Sequence, residues 1–123
     1  MDHPRVLKGA RKDEIHTPER CFITELWNDD ADWEVSIAEA RVEPGVVTQR
    51  HRLDVDERYL ITQGVGRVEI EGLSPQRVVA GDVVAIPARS AQRIENTGTN
   101  DLLFLCICTP RFEPAGYRAV VDS

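Results

Sequence analysis

Little in this 123-residue chain is basic, aromatic or sulfur-bearing. Lysine and arginine number 15 against 21 acids, a net charge of −6. A nucleic-acid binder would carry a basic face, and attachment to anionic lipid would need a basic patch, so neither class fits this balance. The longest apolar run, "LLFLCIC" from Leu102 to Cys108, has seven residues, whereas a membrane-spanning helix needs about 20. The start, "MDHPRVLKGARKDE", lacks the apolar core of a signal peptide, and a cytoplasmic location is the expectation. Cysteines are three, Cys21, Cys106 and Cys108. That odd count without framework spacing predicts reduced thiols. Cys106 and Cys108 stand two apart and share a strand face, where filling the core suits them better than binding zinc. Histidines are also three, and His3 and His16 lie near the start, so His51 is alone in the body of the chain.

Helical periodicity is the other thing missing. No window from Asp32 to Thr109 sustains a 3.6-residue repeat. Instead, short stretches rich in Val, Ile, Tyr and Phe ("EVSIAEARV", "ERYLITQ", "GRVEIEG", "QRVVAGDVVAIP", "QRIENTG", "LLFLCICTP") each end at Gly, Pro, Asn or Thr. Many short strands between turn residues predict an all-β sandwich or barrel in a single domain, residues 1–123. "HTPERCF" offers Thr17 and Pro18 as a short helix start, and "EPAGYRAVVDS" suggests a loose C-terminal turn. "GVGRVE" lacks the third glycine and following helix of a dinucleotide site, so no nucleotide cofactor is expected.

Two spaced motifs sharpen this picture. Gly45 is followed after five residues by His51-Arg52-Leu53, then by Glu57 and, six residues on, Gly64. Sixteen residues separate this motif from Gly81, which leads through five residues to Pro87, with Arg89, Gln92 and Asn96 following. The order and spacing resemble the two motifs of the cupin superfamily, over about residues 35–110. The resemblance implies a cupin double-stranded β-helix, a jelly-roll barrel with short N- and C-terminal extensions. It also implies that positions 51, 53, 57 and 92 meet at the barrel mouth, where metal-binding cupins supply three histidines and a glutamate. Here they hold His51, Leu53, Glu57 and Gln92, and the motif's glycine at position 89 is an arginine.

Two readings of that altered set stand side by side. His51, Glu57 and Gln92 would hold a divalent ion such as Zn, Mn, Fe or Ni, completed by water. Alternatively, they line a polar pocket without metal, in which a buried Glu57 pairs with His51. One histidine and one carboxylate cannot make the two-histidine triad of an iron oxygenase, so dioxygenase chemistry is disfavoured. His51, Glu57 and Tyr59 are the candidates for acid–base catalysis, of isomerase, epimerase or lyase type, on a small polyoxygenated or carboxylated substrate. Gln49, Leu53, Arg89 and Gln92 are the candidates for substrate contact, with Arg89 as an anion clamp. A non-catalytic metabolite-binding or sensing module is the competing function. The strand "LLFLCICTP" is apolar on both faces, and burying its outer row predicts a homodimer.

Overall fold

A computed structural model describes residues 3–9 and 13–121. Among these residues eleven strands follow one another: β1 (Ile15–His16), β2 (Phe22–Trp27), β3 (Ser36–Val42), β4 (His51–Leu53), β5 (Asp56–Gln63), β6 (Val65–Ile70), β7 (Leu73–Val79), β8 (Val83–Ile86), β9 (Gln92–Asn96), β10 (Leu102–Thr109) and β11 (Tyr117–Ala119). They form a six-stranded sheet ordered β1-β2-β3-β10-β5-β8 and a five-stranded sheet ordered β11-β4-β9-β6-β7. Every pairing is antiparallel. This is the expected all-β jelly roll. Among the described residues no helix is long and apolar enough to cross a membrane.

Alternation decides what the barrel encloses. Along β5, Glu57, Tyr59 and Ile61 are buried while Arg58 and Leu60 between them are only partly so. Gln92, Ile94 and Asn96 repeat the pattern on β9, and Leu102, Phe104 and Cys108 on β10. Ile61, Ile94, Leu102 and Val42 are among the largest side chains fully withdrawn from solvent.

The second motif's asparagine is a structural tie. Asn96 is 1% exposed. Its amide nitrogen donates to the carbonyls of Val42 and Asn100, both at 2.8 Å, and its oxygen accepts from Gly98 N–H at 2.9 Å. Asn96→Ala would leave the Val42 carbonyl unpaired beneath the sheet. A stability loss of about 1–3 kcal/mol is expected in urea unfolding, with the slope of the transition unchanged.

Two expectations at the ends need correction. "HTPERCF" is not helical: Thr17 N–H donates to the Cys21 carbonyl and Arg20 N–H to the Thr17 carbonyl, closing a turn that feeds β2. Its polar cap residues serve a turn as well as a helix. The C-terminal segment forms one 3₁₀ turn, Pro114–Gly116, and then pairs as β11 with β4; Asp122 and Ser123 of that segment lie outside the described residues. Both ends therefore extend the sheets beyond the 35–110 stretch, and both reach the barrel mouth.

Candidate functional site

The mouth opens into a cavity of about 210 Å³. His51, Leu53, Glu57 and Tyr59 line it, as the motif spacing predicts, together with apolar wall from Ile23, Ile94 and Phe104.

His51 is fixed on both sides. Its Nδ1 lies 2.8 Å from the Gln49 carbonyl. A carbonyl only accepts, so Nδ1 carries the proton, and in the neutral ring Nε2 holds the lone pair. The imidazole stacks on Tyr117, with centroids 4.9 Å apart and planes 18° from parallel. The Tyr117 hydroxyl donates to the Gln49 side-chain oxygen at 2.8 Å. Gln49, expected to touch substrate, thus holds both rings and does not face the cavity.

Glu57 is 6% exposed, and its Oε1 has no hydrogen-bond partner. The Cys108 thiol lies 3.8 Å from its Oε2. Burial pushes the carboxyl up to about 7; the Gln92 side chain opposes the shift, Glu19 adds to it, and the Cys108 and Cys106 thiols lower it slightly. A carboxyl that ionises near neutral pH can both give and take a proton.

Tyr59 and Gln92 are committed to each other. The Tyr59 hydroxyl donates to Gln92 Oε1 through a short hydrogen bond. Burial, reinforced by the charge of Glu57, raises the phenol well above its ordinary range, so Tyr59 stays neutral and serves to orient Gln92. Gln92 sits opposite His51 across β4 and β9, 1% exposed. It is not on the cavity wall. The expectation that it contacts substrate is corrected: strand phase turns it inward, but the Tyr59 hydroxyl occupies its oxygen.

Arg89 also departs from expectation. It adopts φ +68°, a conformation that favours glycine, the residue of the motif at that place. Its N–H donates to the Leu53 carbonyl at 2.7 Å and its carbonyl accepts from Arg52 at 2.8 Å. The side chain is exposed and does not line the cavity. No anion clamp is formed there.

Three contributors carry no motif signal. Glu19 enters the cavity from the turn before β2, and its Oε2 lies 4.0 Å from His51 Nδ1. Burial raises its pKa, with His51 pulling the other way. Its own carbonyl accepts from Gln49 N–H at 2.9 Å, clasping the arm to the mouth. Tyr117 arrives on β11, and Cys21 on the residue before β2. Burial pushes the Cys21 and Cys108 thiols up to about 12, and Cys106 well above its usual range. These thiols are therefore protonated wall groups, not nucleophiles.

The donor set does not suit a resident divalent ion. Leu53 fills one ligand position with hydrocarbon, and Gln92, turned to the Tyr59 hydroxyl, is not on the cavity wall. Of the four motif positions only His51 Nε2 and Glu57 remain, and even with Glu19 nearby the described residues hold no group of three His, Cys, Asp or Glu placed for a metal. Two protein ligands fall short of the three that open catalytic metal sites use.

Comparison with known proteins agrees with this architecture. The Cupin domain family matches residues 38–108. A predicted oxalate decarboxylase from Thermotoga maritima is 27% identical, with a TM-score of 0.66 over 73% of this chain and 80% of its own. The Streptomyces nucleoside dehydratase Pac13, solved with uridine, is 14% identical with a TM-score of 0.75 over 95% of this chain and 92% of its own. The DMSP lyase DddQ of Ruegeria pomeroyi is 20% identical, with a TM-score of 0.72 over 82% of this chain and 52% of its own. At those identities the last two show the fold alone. No curated protein matches this chain in sequence. With both motif spacings, the two-sheet barrel and the family match in place over more than half its length, the chain belongs to the cupin superfamily.

Proposed function

We propose that this cupin is an enzyme of lyase, isomerase or epimerase type that moves a proton on a small molecule held in the barrel mouth. The observation that carries the reading is Glu57: a buried carboxyl on the cavity wall that His51 also lines, one oxygen without a partner, ionising near neutral pH. Glu57 takes the proton from a carbon next to a carbonyl or hydroxyl-bearing centre. His51, held by Gln49 and Tyr117 with its proton on Nδ1, presents the Nε2 lone pair to accept a hydrogen bond from a substrate hydroxyl. Tyr59 fixes Gln92, and Gln92 limits how far burial raises the Glu57 carboxyl. Leu53 and Phe104 keep water from the reacting bond. The reading is in keeping with the decarboxylase, dehydratase and lyase names carried by three structural neighbours.

Among the expected substrates, a polyoxygenated molecule without an anionic group suits the wall better than a carboxylated one, because among the described residues no Lys or Arg lines the cavity. The test is deuterium wash-in. Small hydroxy- and oxo-compounds incubated with enzyme in D₂O should exchange a carbon-bound proton in the wild type, and Glu57→Gln should abolish it. Exchange that survives in the variant contradicts the assignment. A metabolite-binding module is the second reading, favoured by the mutual satisfaction of Tyr59 and Gln92, which leaves few reactive groups free. In that case Glu57→Gln shifts affinity and no exchange is seen in either protein.

The homodimer belongs to the same proposal. Leu103, Leu105 and Ile107 form the outer row of β10 and remain partly exposed in the single chain, as does Val83 at 65%. A second sheet packed on this face would cover them. Light scattering at micromolar concentration should give twice the chain mass; a monomer mass refutes the dimer.

A further inference from the structure

The charges on the cavity wall are of one sign. Among the described residues Glu19, Glu25 and Glu57 line it, no lysine or arginine does, and His51 is the one imidazole. The nearest arginine in sequence, Arg20, turns away: its Nε donates to the Val47 carbonyl at 2.8 Å, on the outside of the mouth. Glu57 Oε1 is buried within this wall without a hydrogen-bond partner. An ionised carboxylate in that position is costly unless a cation or donor meets it. Four aromatic rings share the wall with aliphatic and thiol side chains: Phe104 and Tyr59 deep in the barrel, Phe112 and Tyr117 from the C-terminal segment. Carboxylates with several ring faces are the surroundings that bind alkylammonium groups, through Coulomb attraction and the ring quadrupole together.

We infer that the cavity takes a small organic ammonium ion, its charged end held between the Glu19 and Glu57 carboxylates and its alkyl groups against the aromatic wall. The inference rests on the proposed reading in taking this cavity as the substrate site, and it names the substrate class. The size agrees: about 210 Å³ lies below the roughly 300–1,000 Å³ of pockets for drug-sized ligands. Glu19 then has a purpose its position suggests. It is carried by an arm clasped to Gln49 and followed by Arg20 at φ +68°, a backbone state unusual outside glycine and asparagine.

Three probes of one shape test this: choline, its uncharged isostere 3,3-dimethylbutan-1-ol, and the anion 3,3-dimethylbutanoate. Each is titrated into the full-length protein at pH 8 by calorimetry, with NMR shifts of His51 and Tyr117 reporting the location. Choline should bind at least tenfold more tightly than the alcohol, and the carboxylate should not bind measurably. Glu19→Gln should lower choline affinity several-fold and leave the alcohol unchanged; Glu25→Gln, at the rim, serves the same purpose if the first variant does not fold. Equal or tighter binding of the alcohol or the carboxylate overturns the ammonium inference and leaves the acid–base role of Glu57 standing. Failure of all three to perturb His51 and Tyr117 also overturns it. The wash-in experiment with Glu57→Gln judges the catalytic reading separately.

Discussion

Glu57→Gln should abolish turnover and stabilise the protein in the same step. Loss of a general acid–base group costs roughly 10²–10⁴ in rate. The gain in stability comes from linkage. Glu57 ionises at about 7 in the folded chain against an ordinary 4.5, so between those values the native state binds more protons than the unfolded one. Stability therefore falls as pH rises through this window, and the penalty is complete above pH 7. A shift of that size corresponds to about 3 kcal/mol. Glutamine has the same shape and no charge, so it avoids the penalty. Urea unfolding should find the variant more stable by up to about 3 kcal/mol at pH 8 and little different at pH 4. A variant no more stable at pH 8 contradicts a buried, strained charge at this position. Glu19 shifts in the same direction, so the wild-type profile combines both groups, and the difference between wild type and variant isolates Glu57.

The second large effect lies in the backbone. Gly64 closes the first motif and joins β5 to β6 with φ +93°. A Cβ added there would stand 2.9 Å from the Asp101 carbonyl oxygen and 3.0 Å from Leu102 Cα. Both are backbone atoms at the start of β10 and cannot rotate aside. Gly64→Ala combines left-handed strain of about 1–2 kcal/mol with overpacking of about 1–3 kcal/mol. The sum, roughly 2–5 kcal/mol, is a large share of the 5–15 kcal/mol that holds a typical domain folded. Gly72 is the control: its φ is +87°, yet nothing lies within 4 Å of its added Cβ. Gly72→Ala should cost only the strain. Thermal unfolding of the pair should show the Gly64 variant melting well below the Gly72 variant; equal losses would contradict the close approach to β10.

The same glycine shows why much of the fold was readable. Turn glycines at fixed spacing and alternating strands both state where the chain reverses and which side chains turn inward, and His51, Leu53, Glu57, Tyr59, Ile94 and Asn96 are all found buried. Alternation gives a direction and no more. Gln92 points inward as its phase requires, but the Tyr59 hydroxyl reaches its oxygen first. Arg89 stands where its spacing puts it, but its left-handed backbone and its exposed side chain leave it outside the mouth. Glu19 and Tyr117 were not legible, because each is placed by long-range pairing: Glu19 by its carbonyl on Gln49, Tyr117 by the β4–β11 ladder. Nothing within a few residues of either encodes that contact.

"GVVTQRHRLDVDERYLITQG" therefore retains the geometry of a metal-binding motif and carries different chemistry. Leu53 removes one ligand, Tyr59 and Gln92 satisfy each other, and the Glu57 carboxyl is left as the proton carrier of the proposed reaction. The most direct test of that account is the titration of the Glu57 side-chain carboxyl, by carbon-13 NMR of glutamate-labelled protein with Glu57→Gln to assign the signal. The account predicts a midpoint of about 7. A midpoint near the ordinary glutamate value of 4.5 would contradict it.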